Sequence, residues 1–176
     1  YHPPPAFPIR MRNLIAVPVI ILAVILQSAV VSRLTLLSGF GDLPLVMLAA
    51  WALQDQVDSA WHWAIATGIV VGFISGINWL VFVIGYVAVV ALAKILRMRV
   101  WQAPLLAMFS VTFLGTILMD MLTLGVLRLS GVSIPLQDAF GLLTLPGVLL
   151  NLLLAVPVYA VMRDLAHWAY PSLEVE

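Results

Sequence analysis

Long apolar runs separated by short polar stretches dominate the chain. A membrane-spanning helix needs about 20 mostly apolar residues, because each adds about 1.5 Å to a helix that must cross a hydrocarbon core about 30 Å thick. Five runs suit such a helix. A sixth is shorter, but it begins with Asp42 placed to cap a helix and Pro44 in the first turn. The pattern predicts spans at about 14–32, 43–56, 60–77, 79–96, 104–127 and 140–162.

The distribution of basic residues decides whether the short run crosses. Cytoplasmic ends of spans carry an excess of Lys and Arg. With six spans and both termini inside, Arg33 and Arg128 lie outside and six basic residues lie inside. If 43–56 does not cross, five basic residues lie outside and three lie inside. The sequence therefore predicts an all-α membrane protein, a polytopic bundle of six transmembrane helices with an N-in/C-in topology.

Composition agrees with a lipid environment. Of 176 residues, 64% are hydrophobic and 9% are charged, against about 45–50% and about 25% in soluble domains. The net charge of zero gives no reason to expect nucleic acid, and the absence of cysteine excludes disulfides and thiolate metal sites. We expect a cytoplasmic lead-in at 1–13, either disordered or partly an expression remnant, a membrane domain at 14–170 and a short cytoplasmic tail at 171–176.

Small residues recur every fourth position in the third predicted span, at Ala64, Gly68, Gly72 and Gly76. Glycine disfavours a helix by about 1 kcal/mol relative to alanine, so the stripe needs a compensating role. In lipid, small residues allow two helix backbones to approach closely. The stripe is a candidate packing face, either for a neighbouring helix of the same chain or for a partner protein.

Few polar side chains fall within the predicted spans. Gln27, Asp120 and Asn151 are the candidates, since an ionisable or amide group at membrane depth suggests a functional or packing role. Asp120 shares a helix face with Thr112, Thr116 and Thr123, whose hydroxyls are possible donors to its carboxylate. Without a second acid or base at that depth, we expect Asp120 to be hydrogen-bonded or protonated inside the bundle, and the two amides to join helices.

Tryptophans lie close to the predicted span ends, where an indole ring can stay at the headgroup level with its N–H in water. We therefore expect interfacial anchors at Trp51, Trp61, Trp63, Trp79, Trp101 and Trp168.

The sequence contains no phosphate-binding glycine loop, no H-E-x-x-H and no G-x-S-x-G. We predict no catalytic residue, no metal ligand and no cofactor, and a protein that is not an enzyme.

Several features occur together in an order that resembles a known family. They are a glutamine late in span one (Gln27), a D-L pair at the head of span two (Asp42 and Leu43), the glycine-rich third span, a tyrosine in span four (Tyr86), and an asparagine followed by proline in span six (Asn151 and Pro157). Between Leu14 and Tyr170, the chain resembles the bacterial rod shape-determining protein MreD. It departs from the family at Gly41, where many members carry proline, and near Gly72, where many carry an acidic residue.

The resemblance implies a role in bacterial cell elongation. MreD-like proteins are non-enzymatic scaffolds of the complex that directs lateral peptidoglycan synthesis and cell shape. The implied partners are a bitopic MreC-like protein, RodA with a class B penicillin-binding protein, membrane lipid and, on the cytoplasmic side, MreB. The implied location is the bacterial inner membrane. On this interpretation, a bulky residue at Gly72 should weaken assembly or partner binding.

Two other interpretations stay open at this stage. The family's fold is similar to the vitamin-binding S-components of energy-coupling-factor transporters, which would need a pocket with polar groups such as Asn78, Asp120, Gln137 and Asp138. The first span lacks the A-x-x-x-A motif that such subunits tend to carry. A secondary transporter is the third interpretation, disfavoured by the absence of an intramembrane charge network, although a groove between kinked spans one, three and six would suit an acyl chain.

Overall fold

The chain folds into helices joined by short connections. The computed structural model describes residues 14–29, 33, 35–36, 39–99, 102–132 and 135–170. The predicted lead-in and tail and the proposed anchor Trp101 lie outside these residues. In chain order the elements are α1 (Ala16–Ala29), β1 (Thr35–Leu36), β2 (Gly39–Phe40), α2 (Leu43–Ala52), α3 (Ala60–Ser75), α4 (Trp79–Arg99), α5 (Pro104–Leu129), α6 (Leu136–Asp138), a π-helical segment (Ala139–Thr144) and α7 (Leu145–Ala169).

Three helical stretches are long and apolar enough to cross a membrane: α4, α5 and the continuous stretch Ala139–Ala169. They carry large apolar side chains on their outer surfaces, as do the shorter helices. Ile21, Phe73, Leu106 and Leu153 are examples, with Phe73 and Leu153 more than 70% exposed. A soluble protein rarely exposes this much apolar surface. The three long helices and this surface indicate a membrane protein.

Helix α2 forms the axis of the bundle. All ten of its residues are buried, and it contacts α1, α3, α4, α5 and α7. A helix that is apolar on every side is stable only when other elements surround it. At 1.5 Å per residue it is about 15 Å long, roughly half of a hydrocarbon core. The second predicted span is thus a short interior helix, and α2 by itself does not have the length of a span.

Helices α3 and α4 form the tight hairpin that the short GINW connection predicts. Gly76 ends α3 with φ of 71°, a left-handed conformation that suits a residue without a β-carbon. Asn78 then accepts a hydrogen bond from the Leu80 N–H at 3.0 Å. The hairpin places the glycine stripe of α3 directly against α4.

A short antiparallel hairpin precedes α2, and each of its strands, β1 and β2, has two residues. The sequence patterns did not predict it. Gly39 in β2 is packed so closely that an added β-carbon would lie 2.7 Å from the backbone of Leu143 and of Gly147. The chain therefore enters the bundle against the start of α7, just before α2 begins.

Candidate functional site: a polar network around Asp42

The start of α2 lies among polar side chains from four other places in the chain. Asp42 caps the helix, and its Oδ1 accepts a hydrogen bond from the Leu45 N–H at 3.0 Å. The Tyr86 hydroxyl, from the interior of α4, donates to both carboxylate oxygens of Asp42, at 3.2 and 3.3 Å. The cap that the sequence predicts is confirmed, and the structure adds a tyrosine donor that local sequence could not show.

Asn151 joins α7 to both α2 and α5. Its Oδ1 accepts the Asp42 N–H at 2.6 Å, and its Nδ2 donates to the Thr116 hydroxyl at 2.9 Å. The Thr116 hydroxyl donates in turn to the Thr112 carbonyl at 2.7 Å. Asn151 is fully buried. These bonds therefore form in an apolar surrounding, where a polar group without a hydrogen-bond partner would destabilise the fold.

Gln27 reaches the same place from α1. Its Nε2 donates to the Gly41 carbonyl at 2.7 Å, and its Oε1 accepts the Leu43 N–H at 2.8 Å. We call Gln27, Asp42, Tyr86, Thr116 and Asn151 the Asp42 network. Both amides were predicted to join helices, and the structure shows that they do so through backbone groups at the entrance to α2.

The network accounts for every free donor at the start of α2. The first N–H groups of a helix have no partner inside the helix. Here the Asp42 N–H bonds to Asn151, the Leu43 N–H bonds to Gln27, Pro44 has no N–H, and the Leu45 N–H bonds to the Asp42 side chain. Because an unpaired backbone group in hydrocarbon costs several kcal/mol, these side chains are what allows a helix to begin inside the bundle.

Asp120 is half-buried on α5 and lies beside Thr144. The Thr144 hydroxyl is buried and has no well-formed hydrogen bond among the described residues. The donor expected for Asp120 at Thr116 is engaged elsewhere. The hydroxyl of Thr116 serves Asn151 and the Thr112 carbonyl rather than Asp120, because α7 lies against this face of α5.

The glycine stripe lies inside the hairpin. A β-carbon on Gly68 would be 2.6 Å from Cα of Val83, and one on Gly72 would be 2.5 Å from Cα of Trp79. Ala64 is buried, whereas Gly76 serves the turn and has open space beside it. At Gly68 and Gly72, the neighbour that needs close approach is α4 of the same chain.

The tryptophans divide into two groups. Trp61, Trp79 and Trp168 are 38–60% exposed. Trp51 and Trp63 are each 1% exposed and stack on one another, with ring centroids 4.4 Å apart. Their indole N–H groups are buried without a partner among the described residues. These two rings therefore pack α2 against α3 instead of reaching a membrane surface.

Tyr86 and Asp42 belong to the network, although neither was among the polar residues predicted to lie at membrane depth. Asp42 stands at the edge of a predicted span, where a carboxylate is normally solvated. Only the shortness of α2, which draws its first residue into the bundle, gives that carboxylate a buried tyrosine as donor. Among the described residues, no group of three or more His, Asp or Glu side chains is arranged to hold a metal ion.

An apolar groove runs between α1 and α7. Its volume is about 350 Å³, with α2 contributing part of the wall, and only apolar residues line it, including Leu22, Met47 and Pro157. From the sequence, a groove was expected between spans one, three and six. The groove in the structure is instead lined by α1, α2 and α7, which correspond to spans one, two and six. Comparisons of the chain with family models, curated proteins and solved structures gave no match.

Proposed function

We propose that this protein is a non-enzymatic membrane scaffold of the bacterial cell-elongation complex, and that it acts by helix-to-helix contact with partner membrane proteins. The observation that carries the proposal is the Asp42 network. Gln27, Asp42, Tyr86 and Asn151 are residues on which the resemblance to MreD rests, and they meet in one hydrogen-bonded cluster. Scattered residues that converge in space are more informative about relatedness than a loose linear pattern.

The proposal includes six crossings of the inner membrane with both termini in the cytoplasm. Support comes from the path around α2. Gly39 lies against Gly147, near the start of the Ala139–Ala169 stretch. Val57 accepts a hydrogen bond from Lys94, near the end of α4, at 3.5 Å. The segment 39–57 thus runs from one end of the long helices towards the other, although α2 supplies only part of that distance.

The proposed partners are an MreC-like bitopic protein, RodA with a class B penicillin-binding protein, and MreB beneath the membrane. The outward apolar side chains suit contacts with partner helices, because packing rather than exclusion of water drives association in lipid. The stripe at Gly68 and Gly72 is a poor candidate for such a contact, since α4 already covers it.

Co-purification tests the proposal directly. The full chain, tagged at its C-terminus, would be extracted gently from native membranes, and its companions identified by mass spectrometry. We expect a single-span protein with a large periplasmic region and cell-wall synthases. Recovery of an ATPase pair with a multi-helix coupling protein would instead indicate a vitamin-transporter subunit and refute the scaffold proposal.

A pair of amide variants sharpens this experiment. Asn151→Leu removes the bonds that hold α2, whereas Gln137→Leu makes the same chemical change at an exposed site. We expect Asn151→Leu to lower partner recovery and rescue of rod shape, with Gln137→Leu unchanged, at equal amounts of protein in the membrane. Equal recovery and equal rescue by both variants would show that the proposed function does not depend on the Asp42 network.

A further inference from the structure

A polar cavity of about 220 Å³ lies at the opposite end of α2 from the Asp42 network. It sits between the ends of α2 and α4, the start of α5 and the last part of α7. Gln54, Arg97, Pro104, Tyr159, Arg163 and His167 contribute to its lining, together with Asp55. This volume is well above what one water molecule needs, so the cavity has room for a ligand of headgroup size.

Arg97 is already held in place on one side of the cavity. Its Nη1 donates to the Gln54 carbonyl at 2.6 Å, and its side chain is 21% exposed. Among the described residues, the acid paired with it is Asp55, whose carboxylate is 3.7 Å from Nε and 89% exposed. A fixed guanidinium with a loose, solvated counterion keeps donors for another anion and loses little entropy on binding it.

Arg163 supplies a second guanidinium from α7. Tyr159, Arg163 and His167 follow one another at four-residue spacing, so they share one face of the helix. Within the part of the chain that the structure describes, Arg163 bonds to its chain neighbour Asp164, at 3.2 Å, and half of its side chain is exposed. The start of α5 adds its positive helix end, since Ala103 provides no side-chain cap there.

The cavity lies near side chains that are typical of the level where a membrane meets water. Trp168, next to His167, is 60% exposed, and Lys94 lies over the Trp61 ring, 5.9 Å from its centroid. Exposed tryptophans and lysines mark the headgroup region of membrane proteins. An anion reaching the two arginines here can therefore come from the lipid itself.

We propose that this cavity binds the phosphate group of an anionic membrane phospholipid, with Arg97 and Arg163 as its two guanidinium contacts. Basic pockets between transmembrane helices bind such headgroups, and arginine can pair with phosphate through two parallel hydrogen bonds. Pro104 and Ala107 give the cavity an apolar wall, as a lipid needs where its headgroup meets its chains. The inference is independent of the scaffold role, because it rests on the cavity alone.

Measuring which lipids the protein retains tests the proposal. The full chain would be placed in nanodiscs made from equal parts of phosphatidylcholine and phosphatidylglycerol, released in the mass spectrometer, and its bound lipids counted. We expect preferential retention of phosphatidylglycerol. Arg163→Gln should reduce that preference about fivefold, and Arg97→Gln with Arg163→Gln should reduce it roughly twenty-five-fold, as removal of about one favourable charge contact each predicts.

Arg128→Gln is the matched control, because Arg128 ends α5 at the other end of the helix from the cavity. Its retention should equal that of the wild type, and Arg163→Lys should recover part of the preference. Undiminished retention in Arg163→Gln, whose exposed side chain is not needed for folding, would overturn the proposal. So would an equal loss in Arg128→Gln. Displacement of phosphatidylglycerol by inorganic phosphate would assign the cavity to free phosphate and overturn the lipid source.

Discussion

At the scale of residues, a few side chains form hydrogen bonds with main-chain groups at the start of α2, where the helix itself offers no partner. Gln27 and Asn151 bond to main-chain groups at positions 41–43. A side-chain hydrogen bond between membrane helices is worth about 0.6 kcal/mol on average, whereas an unpaired backbone group in hydrocarbon costs several kcal/mol. The network stabilises the protein mainly by preventing the larger cost.

Removing one hydroxyl from this network should be measurable. Tyr86→Phe deletes the donor to Asp42 and leaves the ring in place, so we expect a loss of about 1 kcal/mol of unfolding free energy, with about 1.7 kcal/mol as the upper end for such bonds. Titration of the purified protein with SDS, followed by circular dichroism or tryptophan fluorescence, measures the loss.

Tyr159→Phe is the control for this prediction. It makes the same deletion on α7, where the hydroxyl forms no hydrogen bond with the described residues. Its unfolding free energy should stay within about 0.5 kcal/mol of the wild type. Equal midpoints for the two variants would show that the Tyr86–Asp42 contact contributes nothing to stability.

At the scale of elements, close backbone approach sets how α3 meets α4. Gly68 and Gly72 face the α4 backbone, so the low helix propensity of glycine is offset by a tight antiparallel contact. This contact also changes what a substitution at Gly72 reports. A leucine there would collide with α4 and test the fold of the chain, not a surface for a partner.

Adding a single methyl group at Gly72 distinguishes the effect of this close contact on stability from the effect of helix propensity. Gly72→Ala should destabilise the protein by about 1–3 kcal/mol, because the β-carbon would overlap the Trp79 backbone and force the helices apart. The midpoint of thermal or SDS unfolding gives the value.

Gly125→Ala provides the opposite case on α5, since nothing lies within 4 Å of its added β-carbon. Here alanine should be neutral or stabilise by up to about 1 kcal/mol through helix propensity. A Gly72→Ala protein as stable as Gly125→Ala would contradict the close approach of α3 and α4.

At the scale of the whole molecule, the ends of the bundle differ in charge. Lys94, Arg97 and Arg163 gather where α4 and α7 end, and Lys94 and Arg97 bond to carbonyls that follow α2. The proposed topology places this end in the cytoplasm, in agreement with the positive-inside rule. The same end carries the cavity proposed for a phospholipid phosphate.

Cysteine labelling of intact spheroplasts tests this topology, and residues 1–176 contain no cysteine to interfere. Gln56→Cys and Ser130→Cys place thiols at exposed positions near opposite ends of the bundle. With six crossings, a membrane-impermeant maleimide should label Ser130→Cys in intact spheroplasts and Gln56→Cys only after permeabilisation. The reverse pattern would mean five crossings, with the segment containing α2 turning back.

The sequence by itself determined the helices, because apolar length, caps and turn residues act locally. The predicted segments coincide closely with α1 and α3–α5, and Asp42 caps α2 as its position before Pro44 indicates. The last predicted segment begins within the π-helical stretch and ends inside α7. Each of these features depends on residues a few positions apart, which a linear pattern contains.

Only the tertiary structure decided which faces meet. It buried α2 among five helices, drew Asp42 to Tyr86 and Asn151, and stacked Trp51 on Trp63 in the interior. In lipid, apolar faces give little preference for one neighbour over another, because lipid chains are as apolar as the helices. Close packing and hydrogen bonds between distant residues make that choice, and both depend on the complete arrangement of the chain.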